Sequence, residues 1–326
     1  MKNKLYTLLL ASLACSMYAG TDTQNEQDQV MALTIDLQND FLQKPDPIQT
    51  RVKERRFLVF SREKIVTTQT GPGALAVPGT DEQYKKAVIN FIATLRAHGF
   101  RIAHTQDWHT LDNISFASHP LWKAQGKKPF DQVKTPNGQD QTLWPDHCVQ
   151  GTHGAEFIRG IHQKGDLVQQ KGQDPKIDSY SGFDDNAGND TGLDAKLRAA
   201  QINTLIIFGL ATDYCDTFTM DGSLKRGNKT HFVLNFSRGI TPEGSIAALL
   251  NLQKYAQDNK RTFTVNYLID ANDGMTEEEV QAFEKAGVNV QRAKTDAFLR
   301  RLTTRSYPTA SSSSSSSSSS LTTRIK

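Results

Sequence analysis

The chain has 326 residues, 37% hydrophobic and 22% charged, enough apolar material for one large α/β domain or two small ones. Its formal net charge is +3, and two of those charges, Lys2 and Lys4, sit in a segment read below as removable, which leaves +1. That balance excludes an electrostatic footprint for nucleic acid or an anionic membrane and favours a small neutral or weakly charged substrate.

Residues 1–20 read as a secretory signal: Lys2 and Lys4 precede an apolar run over 5–15, and Ser16 or Ala19 offers a cleavage point. The run is too short to span a bilayer comfortably, so export to the periplasm or medium without stable membrane insertion is expected. The alternative is a buried N-terminal helix. Lipidation at Cys15 is disfavoured, because Ser12 stands where a lipoprotein box carries an aliphatic residue.

Val30–Ile35 is a buried-strand candidate closed by the polar residues that start at Asp36. The basic stretch 43–69 reads as a loop, with Lys53, Arg55, Arg56, Arg62 and Lys64 around an apolar 57–60. Residues 84–98 carry Val88, Phe91, Ile92 and Leu95 at helical spacing, and Gly99 ends that helix. Strands follow at 100–104 and 166–169, a helix at 193–200, a strand at 205–208, a helix at 217–226, a strand at 230–234 and a helix at 245–255. Residues 262–270 alternate like a strand before an acidic helix start at Thr276. The stretches 43–69 and 257–275 are read as insertions that cover a crevice, mediate self-association into a homo-oligomer, or remain solvated excursions. The run of serines over 311–320 cannot offset its chain entropy, so 306–326 is expected to be a disordered tail behind a domain over 28–305. The strand–helix alternation implies a three-layer α/β fold, with a mostly parallel central sheet and helices on both faces.

Such sheets place ligands at the carboxyl ends of their strands. Asp36 follows the first strand, Asp107 and His109 the second, Lys171 the third and Cys215 the fourth. In GLATDYC (209–215), Gly209 permits a sharp turn and Thr212 or Asp213 can cap the next helix, so Cys215 falls in its first turn. There the positive helix end favours a thiolate and free N–H groups suit an oxyanion. A buried, inert thiol is the bland alternative, and a Cys148–Cys215 disulfide another. Asp36 is a candidate base and Lys171 a candidate cation for the nucleophile. Asp107 and His109, with distant His147, make a mixed oxygen–nitrogen set suited to zinc, iron or manganese.

Taken together, DLQNDF (36–41), GALAVP (73–78), QDWH (106–109), SFAS (115–118), LWPDHCVQ (143–150), DSYS (178–181) and GLATDYC (209–215) carry a family resemblance. The chain resembles the nicotinamidase/pyrazinamidase branch of the isochorismatase-like cysteine hydrolases over 30–238, with a weaker return at 284–298. The resemblance implies a catalytic triad of Asp36, Lys171 and Cys215, and metal ligands at Asp107, His109 and His147. It implies an oxyanion hole from the Ala211 and Cys215 N–H groups, beside a cis peptide at Leu210–Ala211. Phe41, Trp144 and Tyr180 would wall a pocket for a flat pyridine ring. The implied activity is hydrolysis of nicotinamide to nicotinate, and of pyrazinamide, through a Cys215 thioester formed after Asp36 takes the thiol proton. One divalent transition metal, zinc first, would bind the pyridine nitrogen and activate water. A fourth metal ligand common in relatives is replaced here by Asn113, leaving Asn113, His119 or water for that place, and NFSR (235–238) replaces a more usual strand end. The rivals are an amidase for another small amide, such as a carbamoyl compound, and an exported binding protein without turnover. The surroundings of both cysteines favour two free thiols over a disulfide.

Overall fold

The structure is a computed structural model that describes residues 29–55, 61–68 and 71–303, without the side chains of 51–55 and 61–64. The expected signal segment with Cys15 and the expected tail at 306–326 lie outside the described residues. In chain order the elements are β1 (Val30–Ile35), β2 (Ile48–Arg55), β3 (Ser61–Thr68), α1 (Glu82–Ala97), β4 (Arg101–Asp107), α2 (Pro120–Ala124), β5 (Gln132–Lys134) and β6 (Asp140–Thr142). They continue with β7 (Leu167–Lys171), α3 (Leu193–Ala199), β8 (Thr204–Gly209), α4 (Thr217–Lys225), β9 (Lys229–Val233), α5 (Pro242–Asp258), β10 (Phe263–Leu268), α6 (Glu277–Lys285), β11 (Val290–Ala293) and α7 (Thr295–Thr303).

Seven strands form one sheet in the order β11-β10-β9-β8-β1-β4-β7, and every neighbouring pair is parallel. Strand side chains alternate between faces. Val30 and Ala32 therefore pack with Val88, Phe91 and Leu95 of α1 and Phe298 of α7. Met31, Leu33 and Ile35 pack with Leu197 of α3, Met220 of α4, Leu249 of α5 and Phe283 of α6. Both faces are covered, which is why the strand sequences read as unbroken apolar runs rather than alternating ones. Each fully buried Leu or Phe contributes roughly 2 kcal/mol.

α1 illustrates how local signals set an element. Asp81 caps it by accepting from the N–H groups of Gln83 and Tyr84. At the far end Gly99 takes φ 80°, Gly99 N–H donates to Arg96 O and Phe100 N–H to Leu95 O. This paired ending stops the helix and turns the chain into β4.

The chain travels outward from β1 through β4 to β7, then from β8 through β9 and β10 to β11 on the other side. The direction reverses between β1 and β8, and a crevice opens at such a reversal. Among the described residues no helix is long and apolar enough to cross a membrane.

Two expectations are corrected. The stretch 43–69 contains an antiparallel hairpin, β2 with β3, whose register runs from Ile48↔Thr68 to Arg55↔Ser61. Its Ile, Val and Thr content favours extended chain, and Ile48, Ile65 and Val66 are exposed. Within 257–275, β10 is an internal strand paired with β9 and β11 rather than a surface excursion. Val265 and Leu268 are fully buried there, and Asn235 clamps the strand end by donating to Leu268 O and accepting from Leu268 N–H.

Candidate active site

Register brings the charged groups together. The β4–β7 ladder extends beyond the expected strand ends to Asp107↔Lys171, so these side chains emerge side by side. Asp36 follows β1 with φ 46°, its N–H donating to Thr105 Oγ1 at 3.1 Å and its Oδ1 accepting from that hydroxyl at 2.6 Å. Gly209 ends β8 at φ 149°, and a Cβ there would lie 2.1 Å from Ile35 O, so only glycine lets the two backbones approach this closely. The Leu210–Ala211 peptide is cis.

Cys215 lies in a wide π-helical turn, Thr212–Asp216, that leads into α4. The expected side-chain cap is absent: Asp213 instead accepts from the N–H groups of Ile240 at 2.9 Å and Thr241 at 3.0 Å, tying that loop to the site.

Lys171 Nζ is the hub. It donates to Asp107 Oδ1, to Ser179 O at 2.9 Å and to Cys215 Sγ at 3.5 Å, and lies 2.8 Å from Asp36 Oδ2. That last contact is ionic rather than an aligned hydrogen bond, and Asp36 Oδ2 has no hydrogen-bond donor. Burial would lower the Lys171 pKa, but Asp107, Asp36 and Cys215 outweigh it and hold the ammonium well above its usual range. Burial would raise Asp107, but Lys171 and His109 hold it well below the carboxylate range. Burial raises Asp36, opposed by Lys171 and reinforced by Asp107. Burial likewise pushes the Cys215 thiol well up; Lys171 opposes this, while Asp36 and Asp107 add to it. The pull of the helix end toward a thiolate is thus outweighed, and Cys215 presents a thiol beside the Asp36 carboxylate.

Asp107 also faces the other way. Its Oδ2 lies 3.4 Å from His109 Nε2 and 3.5 Å from His147 Nε2. The Nδ1 atoms of these imidazoles pair with carbonyls, His109 with Gly172 O at 3.0 Å and His147 with Pro145 O at 2.8 Å. Carbonyls only accept, so each Nδ1 carries the proton and each Nε2 is left as a ligand aimed at one point. The three ligand atoms lie within 4.8 Å of one another and all three residues are buried, an arrangement that fits one divalent cation. Asn113 is fully committed elsewhere: Nδ2 donates to Gly172 O at 3.2 Å and Asp174 O at 3.1 Å, and Oδ1 accepts from Ser115 N–H at 2.9 Å. His119 caps α2 by accepting from Leu121 N–H at 3.2 Å. Neither belongs to the cluster. Gly172, at φ 68°, would place a Cβ 2.4 Å from the His109 ring. Gly172→Ala is therefore expected to displace His109 and weaken metal affinity by about 10–100-fold, read by metal analysis after dialysis; unchanged metal content would show that the ring does not set the site.

The cavity at Cys215 is narrow, about 30 Å³, and is lined by Phe41, Trp144 and Tyr180 as expected, with Asp107, His147 and Ala211. Trp144 Nε1 donates to Tyr180 Oη at 3.2 Å, and Phe41 meets His147 edge-on at 5.5 Å. Sequence reasoning missed Tyr214, whose ring meets Trp144 at 4.9 Å, and Leu75, Val77, Asp178 and Ile240. Leu75, Val77, Asp178 and Tyr214 stand inside the quoted motifs; Ile240 carries no local signal. It missed Gln38 too, which clamps the Asp107 backbone by donating to its carbonyl at 2.7 Å and accepting from its N–H at 2.8 Å. Among the described residues both cysteines, Cys148 and Cys215, are free. Cys148 packs in the cluster on the α1 face and Cys215 in the one on the opposite face, so the sheet separates them.

Asp216, next to the nucleophile, is fully buried, and neither oxygen has a hydrogen-bond partner. Burial, with Asp36 adding to it, pushes its carboxyl well up. Asp216→Val, close in volume, is expected to stabilise the fold by about 1–2 kcal/mol, seen as a higher denaturant midpoint at neutral pH. A lower midpoint would mean that the carboxyl has a partner.

The isochorismatase domain family matches residues 30–259. The nicotinamidase of Escherichia coli (strain K12) is 39% identical over 184 residues, which span 55% of this chain and 83% of that protein. The nicotinamidase of Acinetobacter baylyi is 38% identical over 187 residues, 56% of this chain and 83% of its own. Among solved structures, a nicotinamidase–pyrazinamidase of Acinetobacter baumanii aligns with a TM-score of 0.52 at 26% identity, covering 83% of this chain and 98% of its own.

Proposed function

This chain belongs to the isochorismatase domain family, and we infer that within it the protein is a nicotinamidase, hydrolysing nicotinamide to nicotinate and ammonia. The observation that carries this reading is the convergence at one aromatic-walled cavity of a buried thiol, Lys171 between Asp36 and Asp107, and a three-ligand cluster. The activity of relatives at 38–39% identity supports it.

The chain's own groups supply each step. Asp36 Oδ2, which lacks a hydrogen-bond donor, takes the Cys215 proton as Sγ attacks the carboxamide carbon. The N–H groups of Ala211 and Cys215 receive the developing oxyanion; among the described residues no backbone group accepts from Ala211 N–H. Asp36 passes its proton to the leaving nitrogen, the C–N bond breaks and ammonia departs. Water, deprotonated by Asp36, then attacks the thioester, and nicotinate and the thiol are released. Lys171 stays protonated throughout and offsets the charge that moves between Asp36 and Sγ. Phe41, Trp144 and Tyr180 hold the ring flat, and a pyrazine ring of the same size makes pyrazinamide a second substrate. Asp107, His109 and His147 hold one divalent transition metal, with zinc best suited to the donor set and iron or manganese next. Bound there, it supplies a Lewis acid at the edge of the pocket.

The test is ammonia release by purified, metal-loaded protein from nicotinamide and, in parallel, from a small carbamoyl amide. Turnover of nicotinamide at the higher kcat/KM is expected; turnover of the carbamoyl amide alone would overturn the reading.

A further inference from the structure

Among the side chains lining the Cys215 cavity, Asp178 has no part in the steps above. It is 3% exposed. Oδ1 accepts from Ser179 N–H at 2.8 Å and Oδ2 from Gln141 Nε2 at 2.9 Å. Each oxygen is thus tied to an N–H donor. Gln141 is itself 2% exposed, and its Nε2 also reaches Thr142 O at 2.7 Å and Tyr180 Oη at 3.0 Å. The carboxylate therefore cannot swing away from a cavity of only about 30 Å³.

Hydrolysis changes the charge of what this cavity holds: a neutral carboxamide and water become a carboxylate and ammonium. We propose that Asp178 is a specificity-determining residue, whose fixed negative charge makes the pocket favour the neutral amide over the carboxylate it produces. The inference rests on the nicotinamidase reading. A cation held by Asp107, His109 and His147 attracts the product carboxylate, and Asp178 counters that attraction, so product leaves and the enzyme resists product inhibition. At the low effective dielectric of a buried site, like charges a few ångströms apart interact strongly enough to shift affinity by a decade or more.

The experiment compares nicotinate inhibition with the nicotinamide KM in wild type, Asp178→Asn and Asp178→Glu. In Asp178→Asn the ratio of the nicotinate inhibition constant to the nicotinamide KM should fall about tenfold or more, and Asp178→Glu should restore the wild-type ratio. Parallel changes in both constants, or an unchanged nicotinate constant, would overturn the proposal. Should Asp178→Asn not fold, wild type serves: nicotinate should bind at least about tenfold more weakly than neutral 3-hydroxymethylpyridine, which offers Cys215 no carbonyl, and equal binding overturns it. Wild type that binds these ligands yet releases no ammonia from nicotinamide would sink the functional reading instead.

Discussion

Cys215→Ala should abolish ammonia release from nicotinamide, lowering kcat/KM by about 10⁴-fold or more. Cys215 lines the cavity with Sγ 3.5 Å from Lys171 Nζ, and the other thiol among the described residues, Cys148, packs in the core on the opposite face of the sheet. Asp36→Asn should lose about 10³-fold or more. The resting thiol is pushed well above its usual range by burial, so attack depends on a base already in place. The two residues act on one proton, and the double variant should therefore be little worse than Cys215→Ala alone. Rates come from an ammonia assay and fold integrity from circular dichroism. A folded Cys215→Ala protein that keeps more than about a hundredth of wild-type kcat/KM would rule out covalent catalysis by this thiol.

Asp107→Asn is expected to be nearly as damaging, because one carboxylate serves two networks. Oδ1 accepts from Lys171 Nζ, and Oδ2 faces His109 and His147 at 3.4 and 3.5 Å. The substitution keeps the shape, removes a metal ligand and deprives a buried ammonium of one of its two counter-charges, a loss that costs several kcal/mol when a buried pair is broken. A fall in kcat/KM of about 10³-fold is expected, together with loss of bound metal. His147→Ala separates the two effects, because it removes a ligand and leaves Lys171 its partners. If Asp107→Asn and His147→Ala lose the same activity and the same metal, Asp107 acts through the cation alone. A further drop of about tenfold in Asp107→Asn would measure its hold on Lys171.

Much of the fold is legible in the sequence alone. Apolar runs such as Val30–Ile35 and helical spacing such as Val88, Phe91, Ile92 and Leu95 depend on local chemistry, and each became the expected element. The hairpin at 48–68 reads as a loop from sequence because its charges mask its Ile, Val and Thr content. β10 reads as an insertion because nothing local says whether an alternating strand joins a sheet. Asn113 shows a third kind of limit: residue type leaves it open as a ligand, and only its two hydrogen bonds to Gly172 O and Asp174 O assign it to the loop that carries Gly172.

The sequence by itself determined the chemical inventory, a thiol, two carboxylates, a lysine and two imidazoles at or near strand ends, together with the alternation that makes the sheet parallel. These follow from side-chain type and from periods of two and 3.6, which act over neighbouring residues. Tertiary structure decided the pairing register Asp107↔Lys171, which makes one carboxylate shared between lysine and ligand cluster. It also placed the Asp178 carboxylate in the wall of the cavity, and it decided that Cys215 rests as a thiol. Those properties depend on distances and burial among groups far apart along the chain, where a shift of one residue in register or a change in solvent access reverses the outcome.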